Sequence, residues 1–169
     1  LSLDNAEEYI ASHGGYYRFN PAFAYQSRVP YYRIGDKRII PSVSDIESEF
    51  AAYIEDAMWV CLDDVSFSKS QQISFNPTSL EVDVSLINDN VIARLADPLI
   101  ATRGKESVAI NDLSVITKSH IMEMRDTSLK VLESQDAIPL GQFDALLRER
   151  GFSSDFLIDN ESVIYTIND

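Results

Sequence analysis

The sequence holds one cysteine, Cys61, and two histidines, His13 and His120. A lone cysteine excludes a disulfide framework within the chain, and this set of residues cannot make a usual structural zinc site. Basic residues are scarce: 14 Lys and Arg stand against 27 Asp and Glu, a formal net charge of −13. Nucleic-acid affinity comes largely from neutralising phosphates, so this balance argues against nucleic acid as a partner. Anionic membrane surfaces repel such a chain as well. No stretch reaches the roughly 18 consecutive apolar residues that a membrane span needs. A Gly-rich phosphate loop is absent, because Gly14-Gly15 follows a predicted helix rather than joining a strand to one. There is no Gly-x-Ser-x-Gly elbow for a hydrolase nucleophile, no internal repeat and no low-complexity tract.

What is present suits a globular fold. The chain has 169 residues, 45% hydrophobic and 24% charged, enough to bury a core within one domain spanning 1–169. Asp outnumbers Glu, 16 to 11, and Arg outnumbers Lys, 9 to 5. Short acids and few lysines fit a surface kept hydrated in high salt, a halophilic-like composition. The chain opens on Leu1 rather than Met, which fits a fragment of a longer membrane-anchored parent.

Periodicity predicts an α+β fold: an antiparallel sheet of hairpins packed against a long amphipathic helix at about 42–60, with further helices. A short helix over 3–12 is stopped by Gly14-Gly15. In the long helix, Val43, Ile46, Phe50, Tyr53, Ile54, Ala57, Met58 and Cys61 recur at helical spacing, and Ser44 with Glu47 fits a capping box. Glu47, Ser48, Glu55 and Asp56 lie elsewhere on that helix. Cys61 closes the apolar face, so a core thiol is the simpler reading than a pairing with a thiol outside the chain. A catalytic dyad of Cys61 with His13 or His120 is disfavoured, since a reactive thiol needs an accessible electropositive site.

Strand candidates begin at Val65-Ser66-Phe67 and Ile73-Ser74-Phe75. Val82, Val84 and Leu86 alternate with polar residues, turn at Asn88-Asp89-Asn90, and return through Val91, Ala93 and Leu95. After a loop at Arg103-Gly104-Lys105 comes one alternating run, Val108, Ile110, Leu113 and Val115. Residues 118–135 and 140–150 read as helices, the second ending at Gly151. Phe156 and Ile158, the Asp159-Asn160 turn, and Val163, Tyr165 and Ile167 read as a closing hairpin. The acidic pair Asp63-Asp64 and the Asn-Asp clusters match no EF-hand spacing, and turn or helix-end chemistry accounts for them.

Residues 14–41 stand apart. Gly14, Gly15, Pro21, Pro30, Gly35 and Pro41 break regular structure repeatedly. The stretch carries a charge of +4, from Arg18, Arg28, Arg33, Lys37 and Arg38 against Asp36. It is also rich in rings. Tyr and Arg are favoured where proteins recognise one another, because they offer large rigid contacts with a polar handle. Tyr16, Tyr17, Arg18, Tyr25, Arg28, Tyr31, Tyr32 and Arg33 are therefore the candidate partner-binding residues. The competing reading is a structural loop whose rings cover the helix or sheet. Asn160-Glu161-Ser162 is a sequon in a predicted exposed turn, which makes Asn160 a candidate glycosylation site.

Three stretches taken together resemble a family. They are Ala6–Tyr17, ending in His-Gly-Gly-Tyr-Tyr; Val29-Pro30-Tyr31-Tyr32 with Ile40-Pro41-Ser42 and the helix from Ile46-Glu47 through Tyr53-Ile54 to Cys61-Leu62; and Ile138–Leu147 followed by Val163-Ile164-Tyr165-Thr166-Ile167. They look like uncharacterised archaeal membrane-anchored surface proteins, often with a pilin-like or signal-anchor N-terminal segment. The resemblance implies location and architecture rather than chemistry. The chain departs from the family's pattern at His13, where a Gln is usual, and near Ser2, where a cysteine able to pair with Cys61 is usual.

The expected function is a non-enzymatic, extracellular cell-surface domain acting in binding or assembly, with no cofactor, no metal and no catalytic residues. Its partner would be a protein or a cell-surface glycan, including another copy of itself, and the membrane would be met only through an N-terminal anchor. The alternatives are a pilin-like structural subunit of a surface filament, and a hydrolase or metal-dependent enzyme using clustered carboxylates.

Overall fold

The computed structural model describes residues 3–25, 29–64, 73–75, 80–134, 140–159 and 162–168. The chain is mixed α+β, with α-helices and antiparallel sheets. It forms two compact units, Leu1–Met122 and Glu123–Asp169. Among the described residues, no helix is long and apolar enough to cross a membrane.

In the first unit, α1 spans Leu3–Ser12. Its end is set by backbone chemistry. Gly15 N–H donates to Ile10 O at 2.8 Å and Gly14 N–H to Ala11 O at 3.1 Å, the paired bonds of a Schellman ending. Gly14 sits at φ +63, where a Cβ would lie 3.0 Å from the Tyr32 hydroxyl. The expected stop at Gly14-Gly15 is therefore a conformational requirement as well as a steric one.

The segment that follows is irregular but not shapeless. A 3₁₀ turn at Pro21–Phe23 is capped by Asn20 Oδ1, which accepts Ala22 N–H at 3.0 Å. Two minimal antiparallel pairs come next: β1 (Ala24–Tyr25) with β2 (Val29–Pro30), and β3 (Arg33–Ile34) with β4 (Lys37–Arg38).

The long helix, α2, spans Val43–Asp64. Its cap is not the Ser44/Glu47 pair expected from sequence. Ser42 Oγ accepts Asp45 N–H at 3.1 Å, and Asp45 Oδ2 accepts Ser42 N–H at 2.8 Å. The capping box therefore lies two residues earlier, with Asp45 in the carboxylate role. The same spacing recurs two residues apart in this sequence, and the neighbour that needs Glu47 elsewhere decides between them.

Strand β5 (Ile73–Phe75) is followed by β6 (Val82–Ile87) and β7 (Asn90–Leu95), which form the expected hairpin. Asn88 opens its turn at φ 54. Two further strands are β8 (Leu99–Arg103) and β9 (Glu106–Ile110), and β10 (Ser114–Lys118) completes the unit. The sheet orders are β10-β7-β6 and β5-β8-β9. The run Val108, Ile110, Leu113, Val115 is thus not one strand. It divides between β9 and β10, in different sheets, because Asp112 turns the backbone at φ 56. The apolar positions change from even to odd across that turn. The loop expected at Arg103-Gly104-Lys105 is a tight hairpin connection, with Arg103 the last residue of β8 and Gly104-Lys105 joining it to β9. Val65-Ser66-Phe67 lies outside the described residues.

One apolar cluster gathers Ala6 and Ile10 of α1, Ile46, Phe50 and Ile54 of α2, Val82 and Leu86 of β6, Val91 and Ala93 of β7, and Ile121. These are the inward positions of a period-3.6 and a period-2 pattern. Phe50 is wholly buried. Cys61 is a half-buried free thiol in the last turns of α2. Strand β6 forms an edge of its sheet among the described residues, and two acids of α2 take two of its amides. Glu55 Oε1 accepts Val82 N–H at 2.9 Å, and Glu47 Oε1 accepts Leu86 N–H at 2.8 Å.

Helix α3 (Ile121–Ser134) starts where Ser119 Oγ accepts Ile121 N–H at 3.2 Å. In the second unit, α4 (Leu140–Arg148) ends in another Schellman pair, Phe152 N–H to Leu147 O at 3.0 Å and Gly151 N–H to Arg148 O at 3.1 Å. Leu147 and Phe152, the two positions that such an ending brings together, are both buried. The chain closes as the expected hairpin, β11 (Ser153–Asp159) with β12 (Ser162–Asn168), where Phe156 stands opposite Tyr165.

Candidate functional site

The aromatic, basic segment is held to α2 by acids that the sequence pattern marks only as polar. Glu49 Oε2 accepts two consecutive backbone N–H groups, Tyr17 at 2.9 Å and Arg18 at 2.7 Å. Two turns further on, Asp56 Oδ2 accepts the Tyr17 hydroxyl at 2.9 Å and Arg18 Nη2 at 2.5 Å. Glu49 and Asp56 are seven residues apart and so share one side of the helix. Glu47 and Glu55 lie on the other flank of the Ile46–Phe50–Ile54 stripe. One helix thus clasps a strand edge on one side and the aromatic strap on the other.

The rings form a connected cluster. Tyr17 meets Tyr53 edge-on at 5.2 Å and Tyr9 at 5.8 Å, while Tyr9 lies 5.3 Å from Tyr53. His13 stacks on Tyr9 at 4.1 Å, and Phe19 reaches both His13 and Tyr16. The Arg18 guanidinium lies 5.2 Å over the Tyr17 ring. Aromatic pairs at these separations add attraction beyond their buried area.

Charge states follow from these contacts. The Arg18 guanidinium, then the Tyr17 hydroxyl, hold the Asp56 carboxyl below the usual carboxylate range. The hydrogen bond to Asp56, then burial, pushes the Tyr17 phenol up, and Asp56 in turn strengthens the hold of Arg18 on its proton. Burial, then the charges of Asp45 and Glu49, raises Tyr16. At neutral pH this leaves an ionised acid, a charged base and protonated phenols. The arrangement suits holding a surface in place, because none of these shifts moves a group toward neutral pH.

The predicted residues divide. Tyr16, Tyr17, Arg18 and Tyr32 are engaged within the chain: Tyr16 hydroxyl donates to Ile39 O at 3.0 Å and Tyr32 hydroxyl to Gly14 O at 2.6 Å. Tyr31 is half-buried, and its N–H donates to Phe23 O at 3.0 Å. Arg33 Nε donates to Gly35 O at 2.9 Å on the β3–β4 hairpin. Tyr25 lies in β1. Arg28 and Asn160 lie outside the described residues. Sequence reasoning missed Tyr9, His13 and Tyr53 as members of this cluster; the i, i+4 spacing of Tyr9, on α1, and His13, just past its end, was the available signal. It also missed the exposed apolar group of Phe23 (54% exposed), Ile34 (42%) and Val29.

Among the described residues, no three His, Cys, Asp or Glu side chains stand together as a metal-ligand group. Comparison with protein-family models, with curated proteins and with solved structures gives no match for this chain.

Proposed function

We propose that this chain is a non-enzymatic cell-surface domain that acts by binding a protein partner through the segment after α1. The observation that carries the reading is the strap. Four hydrogen bonds from two adjacent residues, Tyr17 and Arg18, fix the start of the segment onto Glu49 and Asp56. A surface ordered before binding loses less conformational freedom on binding, which favours recognition. Past the strap, Phe23, Val29 and Ile34 expose apolar surface beside Arg33, Lys37 and Arg38. That combination suits an acidic protein surface. In this reading the long helix is the element laid against the β10-β7-β6 sheet, and it anchors the recognition segment on its far flank. Placement at the cell surface rests on the resemblance to archaeal surface proteins and on the acidic composition.

The test is attachment of the purified, labelled chain to intact cells that make this protein. The triple variant Phe23→Ala, Ile34→Ala, Lys37→Glu leaves the strap and α2 untouched. It is expected to lose most attachment while keeping its circular dichroism and melting temperature. Undiminished attachment by that variant would sink the reading. Digestion of the protein by protease added to intact cells tests location separately: complete protection places the domain inside.

A further inference from the structure

Among the described residues, two acids of α2 take amides of one strand edge, and another strand edge has no neighbouring strand. The outward N–H groups of Val82 and Leu86 on β6 are taken by Glu55 and Glu47. In the β5-β8-β9 sheet, β9 is the terminal strand among the described residues. It joins β8 through a two-residue connection, Gly104-Lys105, that closes on Arg103 opposite Glu106, with Gly104 at φ +63. The closing pair of such a hairpin is hydrogen-bonded, and bonded pairs then alternate. Arg103–Glu106, Ala101–Val108 and Leu99–Ile110 are therefore the bonded pairs, and Ser107 and Ala109 turn their N–H and C=O groups away from β8. The Thr102 Oγ1 to Ser107 Oγ contact of 3.1 Å fits this phase, since side chains stand closer at non-bonded pairs. All five residues of β9 are exposed, Val108 by 64%. The strand has no proline and no bulge among the devices that blunt an edge.

We propose that β9 is a self-association edge, at which two copies of this chain pair antiparallel about a two-fold axis through Val108. An edge of free amides and carbonyls specifies an extended strand as its occupant. Three consequences of this register favour a second copy as that occupant. In this register Ser107 exchanges both backbone bonds with Ala109 of the copy, and Ala109 with Ser107 of the copy, so each outward group finds its complement. The central pair is Val108 facing Val108, which covers the most exposed apolar side chain of the strand. Lys105, at one end, comes beside the copy's Asn111-Asp112 at the other, and the two-fold repeats that opposite-charge contact. Arg103 and Lys105 balance Glu106 and Asp112, so residues 99–112 are neutral on a chain of charge −13. Two copies meet here with less repulsion than their overall charge imposes. This edge shares no residue with the aromatic surface, so each can be tested without altering the other.

The test is sedimentation of the chain over a concentration series in about 1 M salt, where repulsion is screened within about 3 Å. A reversible monomer–dimer equilibrium is expected. Ala109→Pro removes only an outward N–H and keeps the β8–β9 ladder; it should weaken the dimer at least about ten-fold with an unchanged circular dichroism spectrum. A second variant decides the matter even if that one misfolds. In a Cys61→Ser background, Val108→Cys should give a disulfide-linked dimer on mild oxidation, because facing non-bonded residues bring their Cβ atoms within disulfide reach, and Ile110→Cys should not. A chain that stays monomeric while Val108→Cys links no faster than Ile110→Cys overturns the proposal. So does a dimer that a folded Ala109→Pro leaves unchanged.

Discussion

The carboxylate of Glu47 accepts the backbone N–H of Leu86 at 2.8 Å, across 39 residues of chain. Eight residues along the same helix, Glu55 does the same for Val82, four residues back along the strand. The spacings match for a physical reason. Eight helical residues rise about 12 Å and four strand residues about 13 Å. A helix running antiparallel to an edge strand can therefore set an acid against every fourth strand residue. The contact satisfies edge amides that would otherwise invite another strand.

Removing either acid should expose that function. Glu47→Ala and Glu55→Ala are each expected to cost about 1.5–3 kcal/mol, the range for hydrogen bonds to a charged group. Glu47→Gln keeps an acceptor oxygen and should lose less. Urea midpoints at constant m-value measure this. A Glu47→Ala stability within about 0.5 kcal/mol of the parent chain would mean that the bond contributes nothing beyond an ordinary surface residue.

The strap should be sensitive at both ends of the pH scale. Asp56 is held below its ordinary value of 3.8. The stability it adds is fully present above that value and is lost as pH falls through the lower folded value. Tyr17 is raised above 10.0. Its contribution is present below that value and is lost as pH rises through the higher folded value. The protection factors of the Tyr17 and Arg18 amides, taken relative to the intrinsic exchange rate at each pH, should accordingly be highest through the neutral range and fall at both extremes. Asp56→Asn should weaken protection at neutral pH and blunt the acid response. Identical exchange profiles for the two proteins would contradict the assignment.

The position of the α2 cap gives a third check. Ser42→Ala removes the side-chain acceptor for Asp45 N–H, and Asp45→Ala the acceptor for Ser42 N–H. Each is expected to cost about 1 kcal/mol. Ser44→Ala should stay within about 0.5 kcal/mol of the parent. Thermal unfolding of the three single variants distinguishes the pairs; a Ser44→Ala loss equal to that of Ser42→Ala would restore the later box.

Much of the fold was legible because its signals are local. Helical spacing in Ile46, Phe50 and Ile54 marked the inward face of α2, and alternation in Val82, Val84 and Leu86 marked β6. Gly14-Gly15 and Gly151 marked helix ends that require a left-handed residue. The cap of α2 was misplaced because two serine–carboxylate pairs of equal spacing compete there. The division of 108–115 between two sheets turned on Asp112, whose positive φ leaves only a change of parity in the pattern. For the candidate surface, composition identified the segment but not the use of each residue. Tyr17, Arg18 and Tyr32 are spent on fastening it, and exposed Phe23, Val29 and Ile34 carry its accessible apolar area.

By itself the sequence determined an acidic α+β chain with a long amphipathic helix, a set of hairpins and one aromatic, basic segment of unusual composition. Those properties depend on charge count and on periods of two and 3.6 residues, which neighbouring positions along the chain express directly. Only the tertiary structure decided what the acids of α2 hold, which rings meet and, among the described residues, which strand ends each sheet. Each of these depends on a hydrogen bond or contact between groups far apart in the chain. The partner's backbone amide or ring position exists only once both elements are in place.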